Sequence, residues 1–451
     1  MDTFRLASTA MLCLLAAANG AAAEDALVTM EIFPYVAEHV HGSTIVELPN
    51  GDLLAAWFQG SGERWADDVA IMGSRLKRGA DRWSEPFVMA DTPGFPDINP
   101  ILFMDSRSRL WLMWYTVIAN QWETSLLKYR ISEDLERDNG PPHWAWQDVL
   151  HVKPGDKAER GIQPNDRFIR SVERQIERYK QYLTEQGTAQ AAAGRLDTWR
   201  DDLLAKAGGR DMVRKGILVD DTSRRIDQPL GYPYFRRMGW QTKNKAVVLD
   251  SGRIVVPLYS DGFSFSLMAI TDDGGKNWAF SEPLVAAGNI QPSIARGPDG
   301  ALTAYMRDNG PPPARLHVSR STDAGATWSP VRDSKLPNPG SGADVVTLAN
   351  GHWVLAYNDT EDGRHSLAVS LSADQGGTWT RTRHLERDLR GSAATRSHYP
   401  SIIQGRDGVL HVIYSFHRND RGQGPAKTIK YARFAEGWLQ DGGSPASGDN
   451  P

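Results

Sequence analysis

With 451 residues, 40% of them hydrophobic and 15 of them tryptophan, the chain can bury a large core and is not an unfolded polyelectrolyte. Its net charge of −4 comes from 51 basic and 55 acidic residues mixed along the chain, which excludes the concentrated basic footprint of a nucleic-acid binder. A single cysteine, Cys13, excludes a disulfide framework and any site needing several thiolates.

Residues 1–23 read as an export signal. Arg5 supplies a short positive start, residues 6–18 an apolar stretch, and Ala21-Ala22-Ala23 a small-residue cleavage site before Glu24. The apolar stretch is too short to span a membrane. Cys13 lies inside it, so the mature chain would carry no thiol, and export to a bacterial periplasm or exterior is expected.

From residue 43 onward the chain repeats one unit six times: apolar run, short turn, apolar run. The units are 43–59, 100–115, 246–260, 292–307, 345–358 and 401–416. Asn50-Gly51, Asp299-Gly300, Asn350-Gly351 and Asp407-Gly408 mark the turns, and such pairs between β-rich runs are strong hairpin signals. A third apolar run follows several units, as at 68–74, 265–270, 316–321 and 366–372. Three of those runs lead into nearly the same eight letters: 271–278 (TDDGGKNW), 321–328 (STDAGATW) and 372–379 (SADQGGTW). Asp273, Asp323 and Asp374 are about 50 residues apart, a period that belongs to propellers and arrays. The motif describes a tight turn in which Asp accepts backbone N–H groups and Gly supplies a positive φ, so these aspartates are structural. Six units of about four strands predict an all-β, six-bladed β-propeller over residues 24–441, with residues 26–34 able to close the last blade.

One segment breaks the period between blades two and three. Phe168, Val172, Ile176, Tyr179 and Leu183 recur at three- or four-residue spacing, and Leu196, Trp199, Leu203 and Leu204 suggest a second helix. A helical hairpin insertion over about 156–220 is expected, as a decorated loop or a lid. Residues 442–451 read as a disordered tail.

In a propeller the innermost strands share one mouth. Counting back from each hairpin turn puts His41, Asn99, Asn244 with Lys245, Gln291, Asp344 and Tyr399 in equivalent places. The ends of the second strands add Trp57, Trp114, Tyr115, Tyr259, Asp261, Arg307, Tyr357, Asn358, Tyr414 and His417. Aromatic faces with convergent polar groups suit a sugar or glycan ligand. No phosphate loop, dinucleotide turn, zinc helix or EF-hand pattern is present, so no cofactor and no metal are expected.

The boxes, the blade count and the unit order resemble the sialidase (neuraminidase) superfamily of Asp-box, or BNR-repeat, propellers. The likeness covers about residues 36–435 apart from the insertion. Segments 337–344 (PNPGSGAD) and 399–404 (YPSIIQ) resemble its bacterial sialidase-like branch. The resemblance implies a tyrosine nucleophile polarised by a glutamate, an aspartic acid/base and three arginines clamping a substrate carboxylate. Carried over by position, Tyr399 is the nucleophile, Arg307 and Arg364 are two clamp arginines, and Asp68, with Asp67 beside it, is the acid/base. Two positions depart: His41 stands where the first arginine is expected, and Gln291 where the tyrosine's glutamate is expected. A glutamine cannot take the tyrosine's proton, and a histidine gives up bidentate carboxylate recognition.

Three readings follow. The first is an exo-acting glycoside hydrolase of sialidase type on a sialic or uronic acid. The second is a polysaccharide lyase in which His41 and Tyr399 form a base/acid pair while Arg307, Lys245 and Asn244 neutralise a uronate. The third is a non-catalytic glycan-binding propeller.

Overall fold

The computed structural model describes residues 26–135, 140–156, 166–188, 194–207, 238–391, 393–419 and 424–441. The expected export signal, the tail and part of the insertion lie outside the described residues.

Twenty-four strands form six four-stranded antiparallel sheets. Blade one holds β2 (His39–Glu47), β3 (Leu53–Gly60), β4 (Ala70–Leu76) and β5 (Phe87–Ala90). Blade two holds β6 (Asp97–Met104), β7 (Leu110–Val117), β8 (Ser125–Ser132) and β9 (Trp146–Val149). Blade three holds β10 (Val247–Val248), β11 (Ile254–Ser260), β12 (Phe265–Thr271) and β13 (Ala279–Phe280). Blade four holds β14 (Asn289–Arg296), β15 (Leu302–Asp308), β16 (Arg315–Ser321) and β17 (Arg332–Pro337). Blade five holds β18 (Asp344–Thr347), β19 (Trp353–Tyr357), β20 (Ser366–Ser372) and β21 (Arg381–Arg387). Blade six holds β22 (Arg396–Gln404), β23 (Leu410–His417) and β24 (Lys427–Phe434).

The fourth strand of blade six comes from the other end of the chain. β1 (Val28–Glu31) pairs with β24, Val28 opposite Arg433 and Glu31 opposite Lys430, which ties the first and last blades by backbone hydrogen bonds. The ring therefore closes without an open edge between them. Blades stack face to face, so second strands bury both sides and read as unbroken apolar runs; every residue of β7 is buried.

The Asp boxes occupy the turns from third to fourth strand in blades three, four and five. In each, the first hydroxyl donates to the Asp carboxylate and accepts a glycine N–H: Ser372 Oγ to Asp374 Oδ1 is 2.8 Å and Gly376 N to Ser372 Oγ 2.8 Å. The Asp also accepts the N–H and side chain of the seventh residue, Thr378, at 2.8 Å each. Gly275 and Gly376 have φ of 95° and 82°, and a Cβ there would sit 2.5 Å from the Trp111 ring and 2.2 Å from the Tyr305 hydroxyl respectively. Each of these turns thus presses its glycine onto the preceding blade, which only glycine permits.

The insertion forms α1 (Arg167–Glu185) and α2 (Arg195–Ala207). Asp166 caps α1 by accepting from Phe168 N at 2.6 Å. The predicted stripe Phe168, Val172, Ile176, Tyr179 and Leu183 is buried, and it packs on the cores of blades three and four. The described part of the hairpin therefore decorates the flank, and none of its described residues lines the cavity described below. Among the described residues no helix is long and apolar enough to cross a membrane.

Candidate active site

Four inner strands share a local fault that builds the site. The register of β2, β6, β14 and β22 against their partners shifts between His41 and Thr44, Ile98 and Ile101, Ile290 and Ser293, and His398 and Ser401. Each shift is a bulge. Its first residue has a positive φ: 65° at Gly42, 47° at Asn99, 55° at Gln291 and 47° at Tyr399. Three of these residues precede a proline, Pro100, Pro292 and Pro400, which has no N–H to give the ladder. Left-handed backbone at a non-glycine residue costs about 1–2 kcal/mol, and such strain gathers where a side chain must be aimed. Asn99, Gln291 and Tyr399 therefore sit inside their strands, at a kink.

The carbonyls freed by these kinks are met from one short segment. Thr242 Oγ1 donates to Asn99 O at 2.9 Å, Asn244 Nδ2 to Gln291 O and Pro292 O at 3.2 and 3.0 Å, and Lys243 Nζ to Pro400 O at 3.3 Å. Burial pushes Lys243 down to about 8, and its ammonium lies 5.1 Å from the centre of the Tyr399 ring.

The kinked side chains open into a cavity of about 670 Å³. Tyr399 lines its floor, and its phenolic oxygen accepts from Gln291 Nε2 and Arg307 Nη1, both at 2.9 Å. Two acceptor positions are thereby filled and the hydroxyl hydrogen is directed elsewhere. The His41 ring stacks on Tyr399 with centroids 4.2 Å apart, and its Nδ1 is 3.0 Å from Ser415 Oγ. Burial, reinforced by His398, His39 and His417, holds His41 well below the usual histidine range, so it is neutral at pH 7. Asn99 Nδ2 bonds Tyr115 and Tyr259 hydroxyls at 3.1 and 3.4 Å.

Among the described residues, charge in the cavity is balanced between three arginines and three carboxylates. Arg64, Arg307 and Arg364 line it together with Glu63, Glu123 and Asp261. Arg64 lies over the rings of Trp65 and Trp122, 4.8 and 5.2 Å from their centres. Burial raises Glu63, but its hydrogen bond to His39 at 3.0 Å together with the charges of His39, Arg64 and Arg364 leaves its carboxyl below the usual value. Burial raises Asp261, against the pull of Arg307. One wall therefore favours an ionised carboxylate and another a protonated one, the division of labour that acid/base sites use.

Of the residues expected from the sequence, His41, Asn99, Gln291, Arg307, Arg364 and Tyr399 come together around this cavity. Tyr115, Tyr259 and Asp261 from the second-strand ends join them, whereas Trp57, Trp114, Tyr357, Asn358, Tyr414 and His417 do not. Five of the inner-strand and carried-over candidates also do not line it. Asp68 is exposed and turns back to accept from Ser61 N and Oγ, its Oδ1 2.8 Å from the hydroxyl. Asp67 beside it is exposed as well. Asn244 is spent on the bulge carbonyls. Asp344 is buried and joins three blades: its carboxylate accepts from Lys245 Nζ at 2.5 Å, Ser293 Oγ at 2.6 Å and Ile402 N at 2.8 Å. Lys245 and Asp344 thus satisfy each other at the axis. The acidic group of the blade-one loop that does reach the cavity is Glu63, five residues before Asp68; its neighbour Arg64 supplies a third arginine that His41 does not.

Residues 51–159 and 238–412, well over half of the chain, match the BNR repeat-like domain family. The chain belongs to that family. The match to this BNR repeat-like protein is interrupted between residues 159 and 238, the region that holds α1 and α2. The anhydrosialidase of Macrobdella decora is 28% identical over 123 residues, 27% of this chain and 15% of that protein. The sialidase of Bacteroides fragilis (strain YCH46) is 24% identical over 160 residues, 33% of this chain and 29% of that protein. Both alignments span less than a third of the curated relatives' length. Among solved structures, a leech intramolecular trans-sialidase superposes with a TM-score of 0.59 at 13% identity, covering 91% of this chain and 71% of that one. A Dyadobacter fermentans protein of unknown function superposes with a TM-score of 0.57 at 14% identity, covering 90% and 98%. These superpositions bear on the fold.

Proposed function

We propose that this BNR repeat-like protein is an exported, exo-acting glycoside hydrolase of the sialidase type that takes a carboxylate-bearing sugar, a sialic or uronic acid. The observation that carries the reading is the Tyr399 oxygen, held by Gln291 and Arg307 at 2.9 Å each on the floor of a cavity that Arg64 and Arg364 also line. Arginines of this kind recognise a carboxylate by charge-assisted pairs of hydrogen bonds.

In the first step the Tyr399 oxygen bonds to the anomeric carbon and its proton passes to Glu63, the ionised carboxylate. The bond to the leaving oxygen breaks as Asp261 delivers a proton to it. In the second step water attacks the anomeric carbon and gives its proton to Asp261, while the tyrosine oxygen departs and recovers its proton from Glu63. Gln291 acts here by donation, orienting the phenol rather than deprotonating it. The tyrosine nucleophile departs from the two-carboxylate scheme of most glycosidases.

A second reading, β-elimination from a uronate, is favoured by His41. A neutral imidazole stacked on Tyr399 and oriented by Ser415 is a ready base, with the phenol as its acid partner. One assay separates the two. The purified protein is incubated with sialosides, uronosides and uronate oligosaccharides. Free acid sugar without new ultraviolet absorbance supports hydrolysis; an unsaturated uronate chromophore sinks it in favour of elimination; binding without turnover sinks both.

A further inference from the structure

We infer that a second, cationic recess beside the cavity binds an anionic substituent, a carboxylate or sulfate ester, on the sugar at the leaving-group side of the scissile bond. The assignment to the leaving-group side rests on the proposed function; the recess as an anion site does not.

The recess has a volume of about 450 Å³ and is walled by residues 362–365, 390–391 and 394–396 with Pro339 and His398. That volume lies within the range of small-ligand sites, about 300–1,000 Å³. Arg364 lines both spaces and forms the partition between them. Its terminal nitrogens bond only neutral partners, His398 Nδ1 and Gly340 O, both at 2.7 Å. Each terminal nitrogen keeps a second N–H for another acceptor.

The charge balance of the recess is one-sided. Arg364, Arg390 and Arg396 face it, against one carboxylate, Asp362, which pairs with Arg390. Arg364 feels the like charges of Arg307 in the cavity and Arg396 in the recess, and the attraction of Glu63 from the cavity side. In the recess the one lining carboxylate, Asp362, is paired with Arg390, so an anion placed between Arg364 and Arg396 there relieves their repulsion. The partition makes one ligand spanning both spaces the economical occupant. Its acid sugar would meet Arg307 and one side of Arg364, and the neighbouring acidic sugar would meet Arg396 and the other side.

The test is calorimetric binding to the full chain at ~50 mM salt, where surface charge is not screened out. Two matched pairs of probes serve: disialic acid against sialyllactose, and digalacturonate against a methyl galacturonoside, with sodium sulfate as a free-anion control. The acidic-neighbour probe of at least one pair is expected to bind about tenfold more tightly than its neutral partner. Arg396→Gln should remove that advantage and leave the affinity of the probe without the second acid group unchanged, which also certifies the fold. Equal affinities within both pairs, or equal weakening of both members by Arg396→Gln, would overturn the inference. Sulfate binding that depends on Arg396 with no preference among the sugars would overturn it too, marking a free-anion site. Absence of turnover with the charge preference intact would sink the proposed reaction and leave the recess standing.

Discussion

The outer turns and the inner bulges of this propeller solve the same backbone problem in opposite ways. Both need a residue in the left-handed region, the boxes in blades three, four and five and the bulges in blades one, two, four and six. The Asp boxes put glycine at the point pressed on the preceding blade, at φ of 95° in Gly275 and 82° in Gly376, with Ala324 and Gln375 left-handed just before it in two of them, and bind the turn with the same hydroxyl, Asp and Asn or Thr. Three of the four inner bulges put Asn99, Gln291 and Tyr399 there, each carrying strain and each with a different side chain, and the fourth has Gly42. Where the side chains repeat with the geometry, the repeat serves the fold. Where the geometry repeats and the side chains differ, the fold is presenting distinct groups to one space.

The sharpest break in the comparison is at the bulge. Tyr399→Phe should lower kcat/KM on whichever acid sugar is turned over by at least about 10³-fold, and Glu63→Gln by roughly 10²-fold, with thermal unfolding unchanged in both. Steady-state kinetics alongside a melting curve read both quantities. A Tyr399→Phe variant with normal turnover would remove that residue from the chemistry.

The reciprocal change is in the box. Gly275→Ala forces a side chain at φ of 95° and a Cβ 2.5 Å from Trp111, and should cost about 2–4 kcal/mol in a urea titration. Gln291→Gly should change stability by less than about 1 kcal/mol, because relief of the positive φ offsets the hydrogen bond lost to Tyr399. Equal losses at the two positions would dissolve the contrast between glycine-built and strained turns.

The contrast also marks what was legible before the structure. Asn-Gly and Asp-Gly hairpins and the spacing of Asp273, Asp323 and Asp374 announced the six blades, because turns are local chemistry. Tyr399, Gln291 and Arg307 were legible through their distance from those turns. Asn244, Lys245 and Asp344 hold equivalent ring places, but they sit before or at the head of short inner strands, β10 and β18, that carry no bulge, and there they tie blades together. A signal for the difference was present in the recurring X-Pro pairs Asn99-Pro100, Gln291-Pro292 and Tyr399-Pro400. Glu63, Arg64 and Glu123 had no such signal, since the path of a long loop follows no period.

Acid should separate the two regions in order. His41 and His398 are held well below the histidine range by burial, and His417 is pushed down to about 4 by the same cause. Below about pH 6.5 the unfolded chain binds protons that these folded histidines refuse, so stability falls with pH through that window. The slope is about 1.4 kcal/mol per pH unit for each histidine still neutral in the fold. In the boxes, backbone and side-chain hydrogen bonds from Asn277 hold Asp273 down at about 2. Its contribution is complete above the unfolded value near 3.9 and is lost as pH falls towards 2. Urea midpoints against pH should therefore show two limbs. His417→Gln should flatten the upper one, and Asp273→Asn should leave it unchanged.

The smallest expected effect tests which acidic group belongs to the site. Asp68 follows β3 in the same loop as Glu63, but its carboxylate accepts from Ser61 N and Oγ, and those bonds hold it below the usual aspartate range. A carboxylate lowered by hydrogen bonds and exposed to water is a poor proton donor at neutral pH, whatever its place in the chain. Asp68→Asn keeps an acceptor for Ser61 and should change kcat/KM by less than about twofold, within the range of a surface substitution. Its pH–rate profile should superimpose on that of the parent. A loss approaching that of Glu63→Gln, or a shifted acid limb, would mean that the loop swings Asp68 into the cavity when sugar binds, and would move the acid/base role back to Asp68.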